Sequence, residues 1–204
     1  LVQRIRYIYA RIGVVLLLLM PVAMWLAFRP WGLPEGVLAS SGRVTAANRD
    51  DAIVFPPQPA TTSGLVLLPG CPVDPEAYAP LARRIAESGA PAIVVRVPHR
   101  CAAFGDLPAQ LDERVDALIE EHAATRWVIA GHSRGALHAA RFAVAHPDRI
   151  AGLVLIGTSH PRDRDLSTLS IPVMKIAATN DGVAGDAQFD RHRLPASTTW
   201  VRIE

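Results

Sequence analysis

From residue 42 onward, short runs of apolar and β-branched residues alternate with stretches in which apolar positions recur every three or four residues. Residues 42–47 and 52–55 read as an opening pair of strands, the second stopped by Pro56, Pro57 and Pro59. The run GLVLL at 64–68 is apolar throughout and ends in Pro69-Gly70, which marks a strand buried on both faces. A helix is predicted over 75–88, with Tyr78, Leu81, Ala82 and Ile85 on one face and Gly89 as its stop. Strand 92–97 follows, then a helix over 108–124 carrying Leu111, Val115, Leu118 and Ile119 at helical spacing. Strand 127–130, helix 135–145, strands 153–156 and 173–177, a short helical stretch at 187–193 and a last strand at 198–203 complete the pattern. Such alternation predicts an α/β domain with a mostly parallel sheet and helices on both faces. Chemistry in such a sheet gathers at the carboxyl ends of the strands.

The first 41 residues break this rhythm. Ile12 to Phe28 is a stretch of 17 uncharged residues between Arg4, Arg6 and Arg11 on one side and Arg29 on the other. As a helix it reaches about 25 Å, the short end for a membrane span, and Tyr7, Tyr9, Trp25 and Trp31 extend it with rings suited to the headgroup level. Pro21 is tolerable in a membrane helix. Three arginines before the run and one after it predict an amino terminus inside and a body outside the cytoplasm, anchored in the cell membrane by a single pass. A cleaved signal peptide is the alternative, although no small-x-small site closely follows Phe28, Val37-Leu38-Ala39 being rather distant. A soluble core helix fits poorly because the run is apolar all round. The reading divides the chain into an anchor at 1–29, a Pro, Gly and Ser-containing linker at 30–41 and a body at 42–204.

Composition narrows the function. Half of the 204 residues are hydrophobic and 20% are charged, which excludes a disordered chain, and two cysteines exclude a disulfide miniprotein or a four-cysteine zinc module. The weak basic excess belongs to the anchor: residues 1–30 hold four arginines and no acid, leaving 17 basic against 19 acidic side chains in the remainder. That body lacks the net charge expected of a nucleic-acid partner. No phosphate-cradling loop and no zinc-ligand spacing occurs, so no cofactor is expected.

Gly131-His132-Ser133-Arg134-Gly135 follows one predicted strand and opens a helix, the setting of a nucleophile elbow. The turn is so tight that side chains two residues from the serine on either side would collide. With this motif, and with LVLLPGCPVDPEAYAPLARRIAESG, AIVVRVP, AHPDRI, GLVLIGTS and MKIAATNDGV in order, the chain from about residue 64 to 204 resembles the alpha/beta hydrolases, within them the compact lidless group termed the fifth domain family. The resemblance implies Ser133 as nucleophile, an acid after the next-to-last strand and a histidine after the last. It points to Asp181 in Asn180-Asp181-Gly182 as the acid, with Asp163 and Asp165 in reserve; a plain Asn-Asp-Gly turn is the competing explanation. It also points to the backbone N–H groups of Cys71 and Arg134 as the oxyanion hole, against an ordinary strand-ending turn at Pro69-Gly70-Cys71-Pro72.

Seven histidines are present: His99, His122, His132, His138, His146, His160 and His192. None follows the strand ending near Glu204, so the sequence is expected to stop short of its general base. Cys71 and Cys101 follow two strands that neighbour each other in this family's fold, and they form either a disulfide or free thiols. The sequence thus predicts a membrane-anchored serine hydrolase of carboxylesterase type acting on a small ester or related acyl compound. A non-catalytic hydrolase-like binding module and an acyltransferase are the alternatives. Only about 16 residues separate strands 153–156 and 173–177, too few for a lid domain, so an open, shallow pocket is expected.

Overall fold

The computed structural model describes residues 2–122, 124, 126–159, 161 and 164–204. His160 and Asp163 lie outside the described residues. Eight strands form one sheet: β1 (Ala47–Asn48), β2 (Ala52–Phe55), β3 (Ser63–Leu68), β4 (Ala92–Val95), β5 (Arg126–His132), β6 (Gly152–Ile156), β7 (Val173–Ala178) and β8 (Thr199–Ile203). Their spatial order is β1-β2-β4-β3-β5-β6-β7-β8. β1–β2 and β2–β4 pair antiparallel, and every pair from β4 through β8 is parallel. All strands from β3 to β8 therefore point their carboxyl ends the same way.

Helices α2 (Ala79–Glu87), α3 (Leu107–Glu121) and α4 (Arg134–Ala145) cover the sheet, and side-chain alternation sorts the core onto its two faces. Ile53, Phe55, Leu67, Ala92 and Val94 pack with Ala79, Ala82 and Ala86 of α2. Val66, Leu68, Ile93, Val95 and Ile129 pack with Leu111, Val115 and Leu118 of α3 and the alanines of α4. The predicted face of α3 is the buried one. In α2 the buried stripe is alanine, and Leu81, expected inward, is 46% exposed; small residues let this helix lie close to the strands. In place of the strand expected over 42–47, Val44 makes isolated bridges to Ser41 and Pro57, and a two-residue strand covers Ala47–Asn48.

α1 (Val2–Ala27) projects from the body and is exposed along its described length. Its stretch Gln3–Met24 has mean hydropathy 2.0, enough in length and composition to cross a membrane. The segment after it is packed rather than loose. Val37 is 6% exposed and joins the α2-side core, with Leu33 and Leu38 against it. Arg83 of α2 donates to the carbonyls of Val37 (3.1 Å) and Ala39 (2.6 Å), and to the Ser41 hydroxyl.

Lys175 of β7 is only 1% exposed, with Nζ 5.7 Å from the Trp200 ring centroid. Burial lowers its pKa to about 8, against an opposing pull from Asp190. Below that value both folded and unfolded chains hold the proton and the fold bears the cost of a buried charge. Between about 8 and the ordinary 10.5 the unfolded chain binds more protons, so stability rises with pH across this window. Lys175→Met is therefore expected to gain about 1–2 kcal/mol at pH 7. Urea unfolding in detergent micelles should show that gain shrinking above pH 10; an equal gain at both pH values would mean that the charge is not the cost.

Candidate active site

β5 ends at His132, α4 begins at Arg134, and Ser133 between them has φ 51° and ψ −120°. This is the strained turn that the Gly-x-Ser-x-Gly spacing predicts. The flanking glycines are there because backbone fills the space around them. A Cβ on Gly131 would stand 2.5 Å from Ala136 Cα, and one on Gly135 would stand 2.5 Å from the Pro69 carbonyl oxygen. The Ser133 amide donates to Ile156 O of β6 at 2.9 Å, which ties the turn to the neighbouring strand.

The loop after β3 lies against this turn. Gly70 would bring a Cβ within 3.2 Å of Ser133 Cβ. Its amide donates to Tyr78 Oη at 2.9 Å, and Tyr78 Oη is 2.7 Å from His132 Nδ1. The Tyr78 hydroxyl thus bridges the Gly70 amide and the His132 ring. Nε2 faces Gly157 on the side of Asp181: a Cβ on Gly157 would be 3.2 Å from Nε2 and 3.6 Å from Asp181 Oδ2. Burial lowers the His132 pKa, partly offset by Asp181, so this imidazole is neutral at pH 7. Tyr78 and His132 thus hold the β3 loop against the elbow, a role that sequence reading missed. The elbow motif admits any residue at position 132, and the link to Tyr78 spans 54 residues.

Asp181 follows β7, and its Oδ1 accepts the amides of Val183 (2.8 Å) and Ala184 (2.9 Å). Those two bonds hold the carboxyl below its ordinary pKa. A hollow of about 260 Å³ lined by Ser133, Arg134, Thr158 and Val183 and a second of about 340 Å³ lined by His132, Asp181, Ile203 and Glu204 meet at Gly157. The structure so places Ser133 and Arg134 on one hollow and Asp181, with the end of β8, on the hollow that adjoins it. Asp165 lies in a different hollow with Ser167, His192 and Arg193.

The amides of Cys71 and Arg134 make no backbone hydrogen bond among the described residues, and Arg134 opens α4, where N–H groups point out of the helix. Cys71 and Cys101 are joined as a disulfide with Cα atoms 4.7 Å apart, which ties the loop after β3 to the loop after β4. His138 Nε2, 3.0 Å from Cys101 O, supports that second loop from α4. His122 bonds Leu118 O, and the His146 ring packs on Phe142. Among the described residues no histidine bonds Ser133 Oγ, and no group of three or more His, Cys, Asp or Glu is arranged to hold a metal.

Solved structures share this fold at low identity. A bacterial membrane phospholipase A is 14% identical with TM-score 0.61, over 97% of this chain and 88% of that one. A thioesterase domain from the curacin biosynthetic pathway is 9% identical with TM-score 0.59, over 81% and 93%. A probable hydrolytic enzyme from Pseudomonas aeruginosa PAO1 is 15% identical with TM-score 0.55, over 81% and 88%. No curated protein matches the sequence. Residues 64–204, from β3 through β8, match the alpha/beta hydrolase family, and the chain belongs to that family.

Proposed function

We propose that the chain is a membrane-anchored serine hydrolase that cleaves an ester or related acyl bond through an acyl-enzyme at Ser133. The observation that carries this reading is the Ser133 backbone, at φ 51° and ψ −120° on a strand-to-helix turn, with Asp181 in the hollow that adjoins it at Gly157. A hydroxyl held in a strained turn above the sheet is presented to substrate. Ser133 Oγ attacks the acyl carbonyl, and its proton passes to an imidazole oriented by Asp181, the histidine that the family resemblance places after β8. Ile203 and Glu204 at the end of β8 line the Asp181 hollow, which is consistent with that placement. The Cys71 and Arg134 amides receive the charge that develops on the carbonyl oxygen. The leaving alcohol departs with the proton, and water then releases the acyl group by the same steps.

In this reading α1 remains in the cell membrane as a single-pass anchor. The arginines at 4, 6 and 11 against Arg29 keep the amino terminus inside and place the body outside the cytoplasm. A fluorophosphonate probe tests the nucleophile. The full-length protein should be labelled on Ser133 and Ser133→Ala left unlabelled; equal labelling of both would sink the assignment.

A further inference from the structure

We infer that the loop end of the sheet faces the bilayer that holds α1, and that the site takes its acyl ester from that membrane; this rests on the anchored-hydrolase reading above. The first observation is where the anchor meets the body. Arg100, in the loop after β4, donates from Nη1 to Phe28 O at 3.3 Å, one residue beyond the end of α1. Its Nη2 pairs at 2.6 Å with Asp74, in the loop after β3. Both loops are at the carboxyl ends of parallel strands, the end that carries Ser133, and Cys101 beside Arg100 is bonded to Cys71. The anchor therefore leaves the membrane at the active end of the sheet. The packing of Val37 and the grip of Arg83 on residues 37–41 then fix how the body is held there.

The second observation is what this end displays. Phe104 is 82% exposed and Val183 is 96% exposed, the two most exposed large apolar side chains of residues 42–204 among those described. A lone exposed apolar residue is ordinary on a protein surface. These two belong to the loops after β4 and after β7, four strand positions apart, which is about 19 Å. Ser133, after β5, is between them. One apolar side chain thus stands on each side of the nucleophile, on the end of the sheet fastened to the anchor, in the manner of residues that dip into a headgroup layer. Val183 itself lines the Ser133 hollow, so an acyl chain leaving the bilayer beside it enters the cleft without crossing bulk water.

Depth-resolved fluorescence tests this. In the full-length protein, Phe104, Val183, Ser88 and Leu17 are each replaced in turn by encoded dansylalanine, and the protein is reconstituted in phosphatidylcholine–phosphatidylglycerol vesicles containing a doxyl-labelled lipid quencher. Ser88 ends α2 at the opposite end of the sheet and Leu17 reports the anchor. Quenching at 104 and 183 should exceed that at 88 by about threefold or more. Quenching at 17 with positions 104 and 183 no different from 88 overturns the inference and leaves the Ser133 reading intact. An unquenched Leu17 position overturns the anchor and the inference together. Quenching as expected, without fluorophosphonate labelling of Ser133, upholds the orientation and overturns the membrane-ester substrate along with the hydrolase reading.

Discussion

Gly135→Ala is expected to cost more than about 4 kcal/mol of stability, the range reached when a substitution forces backbone apart in a packed core. The added methyl group would overlap the Leu68 and Pro69 carbonyls, and neither can retreat. Leu68 is paired with Gly131 in the central β3–β5 ladder, and Pro69 leads directly into the loop that Tyr78 holds through Gly70. The strained φ of Ser133 between them leaves no slack in the turn. Urea unfolding in detergent, or the yield of membrane-inserted protein, measures the loss. Ser133→Ala provides the comparison, since it removes only a hydroxyl and should unfold within about 1 kcal/mol of the parent. A Gly135→Ala protein of parental stability would show that the β3 loop does not abut the elbow as described.

Asp181→Asn is expected to lower kcat of the full-length protein by about 10³ to 10⁴ with little change in KM, the size of loss seen when the acid of a triad is neutralised. The Val183 and Ala184 amides hold the Asp181 carboxyl below its ordinary pKa, and under the proposed mechanism that carboxylate would stabilise the catalytic imidazole in its protonated form; an amide in its place cannot. The hydrogen bonds to Oδ1 survive the substitution, which separates a catalytic effect from collapse of the turn. Asp165→Asn, in its separate hollow, should stay within about twofold of the parent. Initial rates on a soluble short-chain ester decide the matter: an undiminished kcat in Asp181→Asn would remove Asp181 from the mechanism.

Most of the sheet was legible in the sequence because its central strands are buried on both faces. Runs such as GLVLL and AIVV have no polar position to confuse the period, and each appears as a strand within two residues of its expected bounds. Legibility failed where small residues or local turns decide the structure. The inward stripe of α2 is alanine, so the bulky residues at helical spacing do not mark its buried face, and Leu81 faces outward. The expected helix at 187–193 is a short 3₁₀ turn at Gly185–Phe189, because Gln188 closes that loop by bonding both backbone groups of Ala178. At the site, Ser133 was readable because the elbow is a local motif. The Gly70–Tyr78–His132 chain and the bond from Arg100 to Phe28 were not, since they join positions that only the folded sheet brings together. Whether Cys71 and Cys101 pair depends on a 4.7 Å approach of two loops, which spacing along a chain does not encode.

The packed segment between α1 and the body sets where the protein tolerates a cut. A protease acting after Ala39 would carry off Leu33, Val37 and Leu38 and leave Arg83 without the carbonyls it holds. The shed fragment would carry a fresh greasy scar along α2 and would tend to clump rather than circulate. A water-soluble version of this protein should accordingly begin at or before Leu33, so that it sheds the hydrophobic rod and keeps the strap.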